Sequence, residues 1–436
     1  MENTRTIIKL LIKVFLVGGG ILLVGLLFLV GVYMLPVGRM KSHIAESDGV
    51  FNYEGIYPQL MNGIKSSQLD NYTDALMYAT AIHPGSDNAL QDAMYNARYE
   101  YKDTSMTQSL NDYANDVSVK ESLRYEIGYS RYWHGYLIIL KPILLFLNVS
   151  EIRMLNMLMQ IVLLILLCNI ILKSYGASYT IPIMMMVFVL NPVTLPLSLQ
   201  FSWVYYISLF GAIILLKMKF PPTNDKYLIL FMAIGMLTSY FDLLTYPLIT
   251  LGLPLALFLL KCREAKPQKR IMLTLLESAF WIGGYTVMWA GKWIFAVSLG
   301  HINLFHDISR KISERTSMEV EGGEVLTLWM AVGKPVSVIL NKIYLLMILS
   351  FFIGCFIWSA YKKQKEKSNR TQENNLKESL LYILPYVFIA CMPFVWFCIL
   401  SNHTYEHYWF AYREMSVTVV ATGIAALEYL NKQRKL

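Results

Sequence analysis

The sequence predicts an all-α polytopic membrane protein, with about ten transmembrane helices and a large extracytoplasmic loop carrying interfacial helices. Three observations lead there. Of 436 residues, 56% are hydrophobic and 16% charged, with a mean hydropathy of +0.44; a soluble chain carries about 25% charged residues. Long apolar runs recur along the whole length, so the excess is not one anchor. The net charge of +8 is also unevenly placed: residues 42–130 hold Lys65, Arg98, Lys102, Lys120 and Arg124 against thirteen acidic residues, a net −8 that leaves +16 elsewhere. Basic residues stay on the cytoplasmic side of a membrane, so an acidic block inside a basic chain reads as one large outward segment. No nucleic-acid partner is needed to explain the charge, and the composition argues against a soluble, disordered or fibrous chain.

The first apolar run, Val14–Leu35, has 22 residues and follows Arg5, Lys9 and Lys13. That length crosses a hydrocarbon core about 30 Å thick. No small-residue cleavage site follows, so an uncleaved signal anchor with a cytoplasmic N-terminus is expected. Residues 36–133 are polar, with Tyr, Asp and Asn throughout. Ala75, Leu76, Ala79 and Ile82 recur there at helical spacing, which predicts short amphipathic helices. Gly135–Asn148 is apolar but only 14 residues long, with Lys141–Pro142 at its middle. A lysine at the membrane centre would cost about 2.5–3.5 kcal/mol, so this is expected to be an interfacial or re-entrant helix. Arg153 then opens a span over Met154–Leu172, and Lys173 closes it. Further spans are expected at 180–197, 201–217, 227–243, 245–260, 272–298, 334–360, 379–400 and 412–430. The chain thus divides into a first transmembrane helix (1–35), an extracytoplasmic loop (36–150) and a multispanning bundle (151–436).

Charge tests the span count. Lys217, Lys219 and Lys226 form one basic loop, Lys261, Arg263, Lys266, Lys269 and Arg270 a second, the run 361–377 a third, and Lys432, Arg434 and Lys435 close the chain. All are cytoplasmic, with both termini, if the spans number ten and 135–148 does not cross; eleven spans are the alternative. Cys168, Cys262, Cys355, Cys391 and Cys398 all lie outside the acidic block, so no disulfide framework is expected there. Abundant Lys, Asn and Ile suit a bacterial plasma membrane. The cytoplasmic loops carry no glycine-rich phosphate loop, which argues against an ATP-driven pump and against direct use of a cytosolic nucleotide-sugar. Orientation gathers the unusual polar residues onto the outer face: the 36–150 block and the segments 190–200, 240–247, 299–333 and 401–413.

Four clusters there could carry chemistry. Glu46, Asp48 and Glu54 lie where the chain leaves the first span; a partly desolvated carboxylate can act as general base toward a hydroxyl, although Asp48–Gly49 also suits a helix cap. Arg131 and His134 sit among Tyr132, Trp133 and Tyr136, at the depth of a lipid phosphate; the aromatics also fit an interfacial belt. His403 and His407 are at i, i+4 before Arg413, a pattern that suits anion binding better than zinc, since no third ligand follows. Asp242 and Lys292 are ionisable groups within or at the ends of spans. Such groups usually mark a site, with a turn role for Asp242 and outward snorkelling for Lys292 as the plainer readings.

The order of these features resembles the GT-C superfamily of polytopic glycosyltransferases, which take sugars from polyprenyl-phosphate donors. In that superfamily a first span leads into a large outer loop with an acidic residue near its start, matched here by Asp48 with Tyr53. An interfacial helix with a proline follows, matched by Gly135–Asn148 with Pro142, then an arginine opening the second span, matched by Arg153. The aromatic-plus-arginine start of a late span is matched by Tyr412–Arg413. The usual Asp-Glu and Pro-Pro pairs are replaced by Asp48–Gly49 and Lys141–Pro142. The chain is also similar to multispanning transferases that glucosylate bacterial cell-envelope polysaccharides. The resemblance implies inverting transfer from a polyprenyl-phosphate-linked sugar to a glycan, lipid or protein acceptor. Asp48 would be the base. Arg413, with His403, His407, Lys292, Arg131 and His134, would hold the donor phosphate, and Tyr53, Glu54 and Asp242 would meet the acceptor or sugar. No cofactor motif or convincing metal-ligand set accompanies them. The competing readings are a transporter or flippase of lipid-linked saccharides and a polysaccharide polymerase or ligase.

Overall fold

The computed structural model describes residues 2–117, 122–320, 323, 325–365 and 372–435. The protein is 76% helical, and its only strands among the described residues form one two-stranded antiparallel sheet. Helix α1 (Glu2–Tyr33) holds the first apolar run. A compact block of short elements follows: α2 (Gly38–Ala45), α3 (Asp48–Glu54), α4 (Asn71–Ile82), α5 (Ala89–Tyr95), β1 (Arg98–Tyr101), α6 (Met106–Ala114), β2 (Arg124–Ile127) and α7 (Leu137–Leu144). The bundle then comprises α8 (Val149–Tyr175), α9 (Thr180–Leu190), α10 (Thr194–Leu197), α11 (Leu199–Lys217), α12 (Asp225–Phe241), α13 (Ile249–Lys261), α14 (Pro267–Ser298), α15 (Phe305–Thr316), α16 (Leu328–Ile339), α17 (Lys342–Lys365), α18 (Gln372–Ile399), α19 (Ser401–Glu406), α20 (Tyr408–Ala411) and α21 (Met415–Lys435).

Five helical stretches among the described residues are long and apolar enough to cross a membrane: Ile7–Tyr33, Val149–Tyr175, Leu199–Lys217, Pro267–Ser298 and Glu378–Ile399. A sixth arises if α16 and the Lys342–Trp358 part of α17 count as one span, although they meet at 80°. The segment 334–360, expected as one straight span, is therefore bent, because Asn341 accepts the Ile343 amide at 3.0 Å and starts a new helix. The segment 180–197 is likewise broken: Asn191 is left-handed (φ 64°) and its side chain accepts from Val193 N and Thr194 N, both at 3.3 Å. Helix α7 has 8 residues, about 12 Å of helix, too short to cross. Residues 366–371 of the basic run 361–377 lie outside the described residues.

Helix α4 forms where the spacing of Ala75, Leu76, Ala79 and Ile82 predicts a helix, but it is enclosed on all sides and not amphipathic, since Asn71, Asp74, Met77, Tyr78, Thr80 and Ala81 are buried as well. Its partners were not legible from local pattern: β1 and β2 pair Arg98 with Ile127 through Tyr101 with Arg124 across a long connection. The block shares one core with the bundle, in which Leu29 of α1, Met77 of α4, Trp133, Leu140 of α7, Met236 of α12 and Met288 of α14 are buried together. Two lysines knit it further. Lys141 donates to the Ala81 carbonyl at 2.7 Å, and Lys292 to the Ala93 and Met94 carbonyls at 2.9 and 3.0 Å. Those oxygens close α4 and α5, where a helix presents partial negative charge. Helices α12 and α14 cross in close contact: a Cβ on Gly235 would lie 2.0 Å from the Trp281 carbonyl oxygen, and one on Gly284 2.1 Å from that of Met232.

Candidate functional site

Helix α14 carries Trp281, Tyr285, Trp289 and Trp293 at four-residue spacing, so all four rings share a face. They run as a ladder with centroids 5.3, 6.2 and 4.8 Å apart. Opposite stands α18, with Phe388, Met392, Val395 and Ile399, and the two helices enclose a cavity of about 650 Å³ whose walls are nearly all apolar. Helix α15 lies across one end, with Ile308 and Ile312 facing the cavity beside Lys311 and Arg315. Arg131 and Tyr132 complete that end.

The cationic end is tied together by polar contacts. Arg131 Nη1 donates to Asp307 Oδ2 at 2.5 Å, and Trp293 Nε1 to the Arg131 carbonyl at 3.2 Å. Arg315 donates to the Tyr132 hydroxyl. His403 and His407 pack edge to face at 4.8 Å. Burial, reinforced by the positive charge of Arg315, holds the His403 imidazole well below its usual range. The same two causes bring His407 down to about 4. Both rings are therefore neutral near pH 7, and His403 Nε2 donates to the Leu244 carbonyl at 3.1 Å. Leu244 also lines the cavity, with a left-handed φ of 69°. It follows Asp242, whose carboxylate accepts from the Thr245 amide at 3.1 Å and the Thr245 hydroxyl at 2.5 Å, the turn role that the sequence allowed.

Arg413 occupies a different place. Its side chain is fully buried, 3.8 Å over the Phe201 ring, with Nη2 donating to Thr194 Oγ1 at 2.9 Å. Contacts to the Trp409 and Ser66 carbonyls are longer, both 3.5 Å, and Nε has no hydrogen-bond partner among the described residues. Asp70, which caps α4 through the Thr73 amide at 3.0 Å, lies within electrostatic reach. Burial pushes the Asp70 carboxyl up to about 6, against the opposing effects of the Thr73 and Gln200 bonds and of Arg413.

The expected phosphate-binding residues thus separate. Arg131, His403 and His407 gather around Arg315. Lys292 is committed to the end of α5. His134 is buried, its Nδ1 2.8 Å from the Tyr136 hydroxyl and its Nε2 2.9 Å from the Tyr129 carbonyl. It is held neutral by that burial and by nearby Lys292. Next to it, a side chain on Gly135 would meet the Tyr240 ring at 2.2 Å, which fixes this turn against α12.

The Asp48 backbone opens α3 after Ser47, while its side chain lies outside the described part of the structure. Beside it, Glu46, Tyr53, Glu54, Asn148 and Ser150 line a shallow polar pocket of about 350 Å³. Tyr53 is 94% exposed there. Glu54 is bonded to Arg153 and Asn71. Sequence reasoning missed Lys311, Arg315 and the ring ladder, although both signals were present: ISRKISERT (308–316) has an apolar and a basic face, and W-x3-Y-x3-W-x3-W repeats on one helix face. Among the described residues, no group of three or more His, Cys, Asp or Glu is placed to hold a metal ion. No family model, curated protein or solved structure matches the chain.

Proposed function

We propose that the protein is a membrane glycosyltransferase that takes a sugar from a polyprenyl-phosphate donor on the extracytoplasmic face, within a GT-C-like arrangement of about ten spans. The observation that carries this reading is the long apolar cavity between α14 and α18, with cations at only one end. Nearly all-apolar walls favour a hydrocarbon tail, and the convergent Arg131, Lys311 and Arg315 favour an anionic head. An isoprenoid chain would lie along the ring ladder, its phosphate near Arg315.

In this reading the acceptor hydroxyl attacks the anomeric carbon while Asp48 takes its proton. The bond from that carbon to the phosphate oxygen breaks, and the lipid phosphate leaves with the electron pair. The cationic end of the cavity would stabilise the charge developing on that oxygen. His403 and His407 flank it as neutral imidazoles, and Arg413 serves the polar region at the start of α4. Cytoplasmic termini and a bacterial plasma membrane complete the proposal.

The test is binding and transfer by the full chain in nanodiscs. Arg315→Ala and Arg131→Ala should each weaken polyprenyl-phosphate binding about tenfold and leave phosphatidylglycerol, the competing lipid, unaffected. Asp48→Asn should abolish transfer while donor binding persists. Equal loss for both lipids would reduce the cavity to a general lipid site. Full transfer by Asp48→Asn would remove the base assignment.

A further inference from the structure

Helix α15 closes the cationic end of the cavity, yet the bundle holds it lightly. None of its residues is buried, and Ile312, which lines the cavity, is still 45% exposed. The chain on either side is anchored. Before α15, Leu304 is buried in the core shared with α1 and α14, and Ile302 N donates to the Ala296 carbonyl at 3.0 Å. After it, Ser401 Oγ donates to the Ser317 carbonyl at 2.9 Å and Asn402 Nδ2 to that of Glu319 at 2.6 Å. Between these anchors, two polar ties among the described residues bind the helix to the cavity wall. Asp307 accepts from Arg131 Nη1 at 2.5 Å, and Arg315 donates to the Tyr132 hydroxyl.

The side chains that make these ties also face the cavity: Arg131, Tyr132 and Arg315 line it together with Lys311. Two of the three cations are already matched by carboxylates of α15 itself, Arg131 by Asp307 and Lys311 by Glu314. An anion entering this end therefore competes with Asp307 for Arg131, whose buried Nε has no hydrogen-bond partner among the described residues. The arginine does not need Asp307 to keep its place. Its guanidinium lies 4.9 Å from the Tyr129 ring, and its carbonyl accepts from Trp293 Nε1 at 3.2 Å. Arg315 would exchange a neutral phenol for a charged oxygen, which makes the stronger bond. Whatever anion takes these cations loosens the helix, and by linkage the docked helix weakens the binding of that anion. We infer that α15 is a lid latched by Asp307–Arg131 and Arg315–Tyr132, and that the phosphate of the lipid donor releases it. An empty cavity keeps its cationic end covered, and a loaded one opens that end to an acceptor, so the donor binds first. The inference rests on the donor reading of the cavity and adds its regulation. A helix that only walled the cavity would instead become more firmly held when the cavity is filled.

The experiment follows amide hydrogen exchange of residues 305–316, with the full chain in phosphatidylcholine nanodiscs, before and after saturation with undecaprenyl phosphate. The lipid should make these amides exchange about tenfold faster. Asp307→Asn and Tyr132→Phe should each show the fast exchange without lipid and bind undecaprenyl phosphate about threefold more tightly than the parent. Asp307 also lies in the first turn of α15, where a carboxylate steadies a helix, and its removal changes the charge of the site. Tyr132→Phe releases the other latch with the helix and the charge intact. Slower or unchanged α15 exchange in the loaded parent would overturn the latch, as would parent-like affinity in Tyr132→Phe. If undecaprenyl phosphate binds none of the proteins, the donor reading falls, and fast exchange in both variants would still show that these two contacts hold the helix down. Slow exchange in both would sink the latch alone.

Discussion

Arg153 grips Glu54 with two parallel donors, Nη1 to Oε1 at 2.6 Å and Nη2 to Oε2 at 3.0 Å. Asn71 joins the pair, donating to Glu54 Oε2 at 2.9 Å and accepting from Arg153 Nη2 at 3.2 Å. Three elements meet there: the end of α3, the start of α4 and the first turns of α8. A planar guanidinium matched to a carboxylate fixes orientation as well as distance.

Removing the arginine should therefore loosen α3, and with it the backbone that carries Asp48. Arg153→Met would leave Glu54 mostly buried with only the Asn71 amide, and should destabilise the protein by about 2–3 kcal/mol. Glu54→Gln, which keeps the shape and one acceptor, should cost less, about 1 kcal/mol. Thermal unfolding in detergent measures both. Equal midpoints for the parent and Arg153→Met would show that solvent screens the pair and that something else positions α3.

Local signals were legible where one segment contains both halves of an interaction. Asn148 and Glu151 form a reciprocal cap at the start of α8, a short-range pattern that our sequence reading passed over, with Asn148 Oδ1 accepting from the Glu151 amide at 3.0 Å and Glu151 Oε2 from the Asn148 amide at 2.9 Å. Lys141–Pro142 argued against a span over 135–148, but only the fold shows that the Lys141 ammonium closes α4, 60 residues earlier in sequence. Lys292 misled for the same reason. A buried lysine suggests a ligand anion, yet helix-end carbonyls 198 and 199 residues away satisfy it. The cationic end of the cavity was least legible, because Arg131, Arg315 and His403 converge from three separate segments and no spacing rule links them.

Asp74 supplies a pH test. Its carboxylate accepts from Ser198 Oγ, Leu199 N and Gln200 N, each at 3.0 Å, and so caps α11 from a different helix. Burial nevertheless raises it to about 7, against the opposing effects of the Gln200 bond and of Arg153. An unfolded aspartate titrates near about 3.9. Between those values the folded state holds a proton that the unfolded state has lost, so this contribution is full at low pH and falls as pH rises toward 7. The stability of the parent relative to Asp74→Asn should therefore drop by about 2–3 kcal/mol between pH 5 and pH 8. Comparing the two proteins cancels the opposite contribution of the depressed His403 and His407. A difference that does not change over this range would mean that Asp74 ionises as freely in the fold as outside it.

The length of the cavity yields a prediction about the lipid tail. Trp293 stands at the cationic end of α14, bonded to the Arg131 carbonyl, and Ile282 lines the same cavity eleven residues earlier. Helical rise separates them by about 16 Å, so a tail seated along Trp289 and Tyr285 must pass Ile282 only if it is long. Ile282 is 55% exposed and can enlarge without strain in a packed core. Ile282→Trp should lower the affinity for a long-chain polyprenyl phosphate about tenfold, while geranyl phosphate, whose short tail ends before that position, should bind as it does to the parent. Binding of both lipids in nanodiscs measures the contrast. A variant that binds the long chain unimpaired would place the tail outside this cavity, and one that loses both lipids equally would place the phosphate away from Arg131 and Arg315.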